Sequence, residues 1–182
     1  MLAVNFIPFP ELKTERLIFR QLVHEDEDAI FKLRSDERVN TFLTRSEYKT
    51  SKEAGIFINK INKNVANAES IYWGIALQSD NKPIGTICLW NIQRENYRAE
   101  IGYELSPDFW GQGIMNEAIA RVIDYGFDNM KLHSIQADTH PDNSRSIKLL
   151  EKNGFVLEGR FRESEYFNGK FSDRTVYSLL KR

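Results

Sequence analysis

Residues 104–118 read ELSPDFWGQGIMNEA, and the order of features in them decides the fold. A strand-like alternation runs out at Leu105. A loop containing proline and glycine follows from Pro107 to Gly113, and an amphipathic helical pattern begins directly behind it. The start of a helix offers backbone N–H groups with no partner in the helix, together with the positive end of its dipole. Gly111 and Gly113 carry no Cβ, so a ligand can approach the backbone closely there. A strand, a glycine turn and a helix start in this order can cradle a phosphate or pyrophosphate. A dinucleotide fingerprint needs a third glycine, where Asn116 stands, and the lysine of a P-loop is absent. On these residues alone a plain tight turn and a nucleotide-binding module both stay open.

Working outward, Arg98 to Ser106 reads as the strand feeding this loop, with Ile101, Tyr103 and Leu105 on one face and Glu100, Gly102 and Glu104 on the other. Before it, Ser70 to Gln78 and Pro83 to Gln93 are rich in Ile, Tyr, Trp and Thr and predict a β-hairpin turning at Ser79 to Lys82. Thr50-Ser51-Lys52-Glu53 is a capping box, followed at helical spacing by Ala54, Phe57, Ile58, Ile61 and Val65. Glu15 to Leu22 predicts a first strand, and the acidic run from Glu25 opens a helix. Residues 1–13 form an N-terminal arm.

Behind the glycine turn a helix is expected through about Met130, with Ala118, Ile119, Val122, Ile123 and Phe127 on its apolar stripe. His133 to Thr139 predicts a strand. Asn143 caps a short helix ending at Gly154. Phe155 to Arg162 and Phe171 to Leu180 complete the set, with Asn168-Gly169 between them as a type I′ hairpin signal. The order predicts an α/β (α+β) fold: one mixed, mostly antiparallel, twisted sheet of about seven strands flanked by about four helices.

The chain has 182 residues, which fits a single domain over 1–182 with a core of ordinary size. Its 25 basic and 26 acidic residues give a net charge of −1, without the basic footprint of a nucleic-acid binder. The longest uncharged run, Pro83 to Gln93, is far short of the ~20 residues of a membrane span. The first basic residue is Lys13, so no signal-peptide n-region precedes the apolar start. One cysteine, Cys88, cannot pair within the chain and suits a reducing compartment. It reads as a small core residue, since nothing near it in sequence would activate a thiolate. The three histidines show no metal-ligand spacing. The expectation is a cytoplasmic protein without a metal, acting on neither nucleic acid nor membrane.

Several segments together resemble the GNAT acyl-CoA N-acetyltransferase superfamily, specifically the branch that acetylates the N-terminal amine of ribosomal proteins. They are AEIGYEL (99–105), WGQGIMNEA (110–118), Asn143 with Ser146, EKNGF (151–155) and EYFNGKFSD (165–173). The resemblance runs from Lys13 to Leu180. The sequence departs from the superfamily pattern at Trp110, where Gln or Arg is usual, and at Met115, where Gly or Ala is usual. Trp at the first place is common in this branch.

The resemblance implies a splayed central strand pair that admits the pantetheine arm of acetyl-CoA as co-substrate. The arm would pair with backbone near Leu105 and bond to Asn143. The pyrophosphate would rest on N–H groups of the turn, making Trp110, Gly111, Gln112, Gly113, Ile114, Met115 and Asn116 cofactor-binding residues together with Leu105, Asn143 and Ser146. The amine would attack the thioester directly, with no acyl-enzyme. Glu165 matches the branch's general base and Ser146 its general acid; Glu100 and Glu104 on the central strand are rival bases, and Tyr103 and Tyr166 are candidates for the acceptor pocket. The implied acceptor is a primary amine, first of all the α-amine of a ribosomal protein. Small amines (a polyamine, an amino-acid derivative, an aminoglycoside) are the alternative, and a non-catalytic CoA-binding regulatory protein is the rival of another class. A homodimer is also expected from the branch.

Overall fold

A computed structural model describes residues 2–182; Met1, part of the arm expected over 1–13, lies outside them. Eight strands form one sheet: β1 (Leu12–Lys13), β2 (Leu17–Arg20), β3 (Ile71–Leu77), β4 (Asp80–Gln93), β5 (Arg98–Leu105), β6 (Ser134–Thr139), β7 (Val156–Phe167) and β8 (Lys170–Leu180). Their order across the sheet is β1-β2-β3-β4-β5-β6-β8-β7. Every pairing is antiparallel except β5 with β6. Five helices flank the sheet: α1 (Glu27–Ser35), α2 (Glu37–Asn40), α3 (Ser51–Ala66), α4 (Ile114–Asp124) and α5 (Ser144–Lys152).

The eighth strand is β1, at the end of the arm: Leu12 pairs with Phe19 and is buried. The fifth helix is α2, a single turn after Asp36, whose side chain accepts the Arg38 N–H. Both are too short to show periodicity in sequence. The β3–β4 hairpin turns more tightly than expected, Leu77 pairing directly with Asp80. The helix expected through Met130 is α-helical only to Asp124 and widens into a π turn over Tyr125–Asn129. At the β7–β8 turn, Asn168 and Gly169 have φ of 47° and 79°, as a type I′ turn requires.

The helices divide between two faces. On the front, α1 and α3 bury Leu22, Ile30, Ala54, Ile58 and Ile61 against the sheet. On the back, α4 and α5 bury Ile114, Ala118, Ile119, Val122 and Leu150 against Ile87, Leu89, Ile101 and Leu105. Each fully buried Val, Leu or Ile side chain among these contributes about 1.5–3 kcal/mol. The arm packs onto the same back cluster: Phe6 is buried, and Trp73 donates its indole N–H to Pro10 O at 2.7 Å.

One feature of the topology positions the site. β5 and β6 pair only through Arg98–Ser134, Ala99–Ile135 and Glu100–Gln136. Beyond Glu100, β5 stays with β4 as far as Leu105, and β6 stays with β8 as far as Thr139. The two strands part, and between them opens a gap edged by backbone groups without a strand partner.

Candidate active site

The glycine turn stands at the open end of this gap. Gly111 and Gly113 both take left-handed φ, 75° and 74°, so neither tolerates a side chain without strain. A Cβ on Gly111 would meet nothing within 4 Å, so the turn presents bare backbone to open space. Gly113 is the N-cap of α4, and the N–H groups of the first turn, from Ile114 on, have no carbonyl before them in the helix. Ile114 and Met115 bury their side chains in the core, so they would serve a ligand through their amides alone. Met115, larger than the Gly or Ala usual there, therefore fills core rather than the turn.

Arg16, from the opposite end of the chain, holds the turn in place. It donates to Gln112 O at 3.0 Å and, through Nε, to Glu117 at 2.7 Å. Nothing local marks Arg16, because its partners lie about a hundred residues away. Trp110 donates its indole N–H to Leu105 O at 2.9 Å, which fixes the end of β5 to the turn and takes up one lone pair of that carbonyl. The guanidinium of Arg145 sits 4.6 Å above the Trp110 ring. Asn153 donates to Asn116 Oδ1 at 3.2 Å, tying α5 to α4.

Along the gap, Asn143 caps α5 by accepting the Ser146 N–H at 3.2 Å. Its amide N–H groups make no hydrogen bond within the described residues and stay available to a ligand. The Ser146 hydroxyl lies 2.8 Å from Tyr103 Oη. Burial pushes the Tyr103 phenol up to about 12, with the Ser146 bond opposing, so it stays protonated through the physiological range. From the sequence Tyr103 is a candidate for the acceptor pocket; the structure instead sets it beside Ser146, through a hydrogen bond that spans 43 positions and leaves no local signal.

The carboxylates occupy the other face. Residues paired across strands share a face. Glu100 pairs with Gln136, Asp138 with Val176, and Glu165 with Ser172, an even number of residues from Val176. Glu100, Asp138 and Glu165 thus lie together on the front, while Tyr103 and Ser146 lie behind. Glu100 stands at the point where β5 and β6 part. Burial raises its pKa, an Asn91 bond of 2.6 Å opposes this, and the charge of Asp138 adds to the rise. Asn91 reaches it from an irregularity in β4 with φ of 46°. Glu165 lies beyond the end of the β6–β8 ladder, near the tip of the β7–β8 hairpin, half-buried and with no ion pair within the described residues. Tyr166 is exposed and packs on Phe171.

Glu104 is a different case. Its carboxylate, 8% exposed, accepts from Arg34 at 2.7 Å and from Arg45 at 2.8 and 2.5 Å. Burial alone would raise its pKa, but the two guanidinium groups hold it below the ordinary glutamate value. Its stabilising effect is therefore complete above that ordinary value and is lost as pH falls through the lower folded one. Glu104→Gln leaves two arginines sharing no buried anion, which costs about 3–5 kcal/mol. We expect Tm to drop by roughly 6–20 °C, with the deficit shrinking as wild type is taken below pH 4; thermal melts of both proteins across pH 3–8 check this. Cys88, on the same face, is buried, and burial pushes its thiol up to about 12, so no thiolate is at hand. Among the described residues no cluster of three His, Cys, Asp or Glu is placed to hold a metal ion, and no helix is long and apolar enough to cross a membrane.

The sheet thus opens between two parallel strands, with an amide-lined turn at the mouth and a hydroxyl pair along one wall. Comparison with known proteins supplies the family: residues 16–156 match the acetyltransferase (GNAT) domain family. The chain belongs to the GNAT acetyltransferases and is an N-acetyltransferase. It is 36% identical over 171 residues, 94% of this chain and 96% of the other, to the uncharacterized N-acetyltransferase p20 of Bacillus licheniformis. It is 27% identical to the [ribosomal protein uS5]-alanine N-acetyltransferase of Escherichia coli, covering 95% and 92% of the two chains. Among solved structures, an acetyltransferase of the GNAT family from Bacillus anthracis superposes with a TM-score of 0.84 at 28% identity, over 94% of this chain and 98% of that one.

Proposed function

We propose that this chain moves the acetyl group of acetyl-CoA directly to a primary amine, with the α-amine of a protein N-terminus as acceptor. The observation that carries the reading is the two-sided gap between β5 and β6: amide donors and the Ser146–Tyr103 pair on one side, carboxylates on the other. Acetyl-CoA supplies the activated thioester. The turn from Gly111 to Asn116 binds its pyrophosphate, and the unpaired edges of β5 and β6, with Asn143, orient its pantetheine amides. On the front, Glu165 takes the proton from the ammonium through one water. On the back, Ser146, backed by Tyr103, gives a proton to the departing sulfur. Glu104, committed to two arginines, shapes the acceptor side and exchanges no proton.

An α-amine has a reference pKa near 7.7–8.0 against about 10.4 for lysine, so a lysine ammonium costs roughly 3–4 kcal/mol more to deprotonate. A single carboxylate therefore suits the α-amine better. The relative named for acetylating a ribosomal-protein alanine supports this choice, and a small-molecule amine is the alternative. Screening peptides and small amines, with release of CoA thiol as the readout, separates the two.

Glu165→Gln keeps shape and hydrogen bonding and removes the base. The expected result is a fall in kcat that is steep near pH 6.5 and mostly gone near pH 9, where an α-amine is already free base. A variant profile running parallel to wild type assigns the base instead to Glu100, whose position where the strands part and whose raised pKa support that second reading.

A further inference from the structure

Beside the gap, on the front face, lies a cleft of about 680 Å³ whose lining includes Arg34, Arg45, Tyr48, Phe57, Lys60 and Trp90. We infer that this cleft holds an anionic group of the acceptor, about 7–10 Å from the amine, so that the preferred substrate is a peptide N-terminus with an acidic residue at its second or third position. The inference rests on the acetyltransferase reading above and narrows its acceptor.

Three observations carry it. The first is charge. Arg34, Arg45 and Lys60 face two carboxylates, Glu104 and Glu53, which leaves the cleft net positive. Glu53 is already occupied by the Lys49 and Thr50 N–H groups at 2.8 Å, as the cap of α3. Lys60 is exposed and has no ion pair among the described residues. The second is an unmet donor. Arg34 is buried, stacked 3.5 Å from the centre of the Phe57 ring, and its Nε–H has no hydrogen-bond partner. A buried donor of this kind is one acceptor short, and Arg34 is one of the residues lining the cleft.

The third observation is distance. Trp90 is on β4, one strand inboard of β5, and neighbouring strands are about 4.8 Å apart. The cleft is therefore about 7–10 Å from the gap, which two to three residues of extended peptide span at roughly 3.3–3.6 Å each. The segment from Thr41 to Thr50 bridges the two. Phe42 stacks on His140 just past the end of β6, at 5.4 Å, while Arg45 and Tyr48 wall the cleft. A polyamine laid along this path would bring its remaining cations against Lys60 and the arginines, so complementarity selects the acidic acceptor.

The test uses the full-length enzyme, acetyl-CoA and three peptides differing only at positions two and three, where they carry Asp-Asp, Ala-Ala or Lys-Lys, with spermidine as a fourth acceptor. We expect kcat/KM for the acidic peptide to exceed the neutral one by tenfold or more, and the basic peptide and spermidine to fall below both. Lys60→Glu, an exposed change on α3, should cut the acidic-to-neutral ratio at least tenfold, and Lys60→Ala should cut it by an intermediate factor. Equal rates on the three peptides, or a ratio unmoved by Lys60→Glu, overturn the anionic subsite and leave the α-amine reading standing. Turnover of spermidine with none of any peptide overturns both.

Discussion

Gly113→Glu is expected to raise the Kd for acetyl-CoA by about 10²–10³-fold while the protein stays folded. Gly113 is exposed, has φ of 74°, and is the residue from which α4 starts. Its new carboxylate would stand beside the unpaired amides of the first turn, the place proposed above for the pyrophosphate. Two like charges about 4 Å apart repel by about 4 kcal/mol at the effective dielectric of a protein surface, before salt screening. The Arg16 guanidinium lies near this point, 3.6 Å from where a Cβ would be. Drawing it onto the new carboxylate would not help the ligand, since the carboxylate would still fill the cradle. A side chain at this φ costs about 1–2 kcal/mol by itself, so Tm should fall by only a few degrees. Gly113→Ala carries that strain without the charge and should weaken binding only a few-fold. Titration of acetyl-CoA into the three proteins checks this. An unchanged Kd for the Glu variant removes the pyrophosphate from this turn.

What could be read from the sequence, and what could not, follows the range of each interaction. The cap at Thr50, the Asn168-Gly169 turn, the cap at Asn143 and the alternation of β5 are settled within a few residues, and the structure has each of them where the pattern puts it. The same holds for the glycine turn, because two left-handed positions need two glycines. Long-range partners were hidden. Arg16 clamps a turn almost a hundred residues away, and Arg34 and Arg45 close on Glu104 across 70 and 59 positions. Their arginines look in sequence like ordinary surface charge. The parting of β5 from β6 was also invisible to periodicity. It arises because each strand keeps its antiparallel neighbour, and only the family resemblance pointed to it.

The hydroxyl pair behind the gap gives the other large effect. Ser146→Ala should lower kcat by about 10²–10⁴-fold, the usual value of a positioned proton donor, with the Kd for acetyl-CoA within a few-fold of wild type. The local structure should survive, because Asn143 caps α5 through the Ser146 backbone N–H rather than its hydroxyl. Tyr103→Phe tests whether the two act as one unit. Their oxygens are 2.8 Å apart, and removing either breaks the same path, so the double variant should lose little more than the worse single one. Full additivity would make Tyr103 a packing residue and leave Ser146 to act alone. The pH dependence carries a further consequence. A donor is lost as pH rises through its pKa, and Tyr103 is held up to about 12 by burial. Above about pH 9, where an α-amine is mostly free base, wild-type kcat should therefore stay level up to about pH 10. A decline in that range would mean that a group titrating lower, not this phenol and its serine, protonates the leaving sulfur.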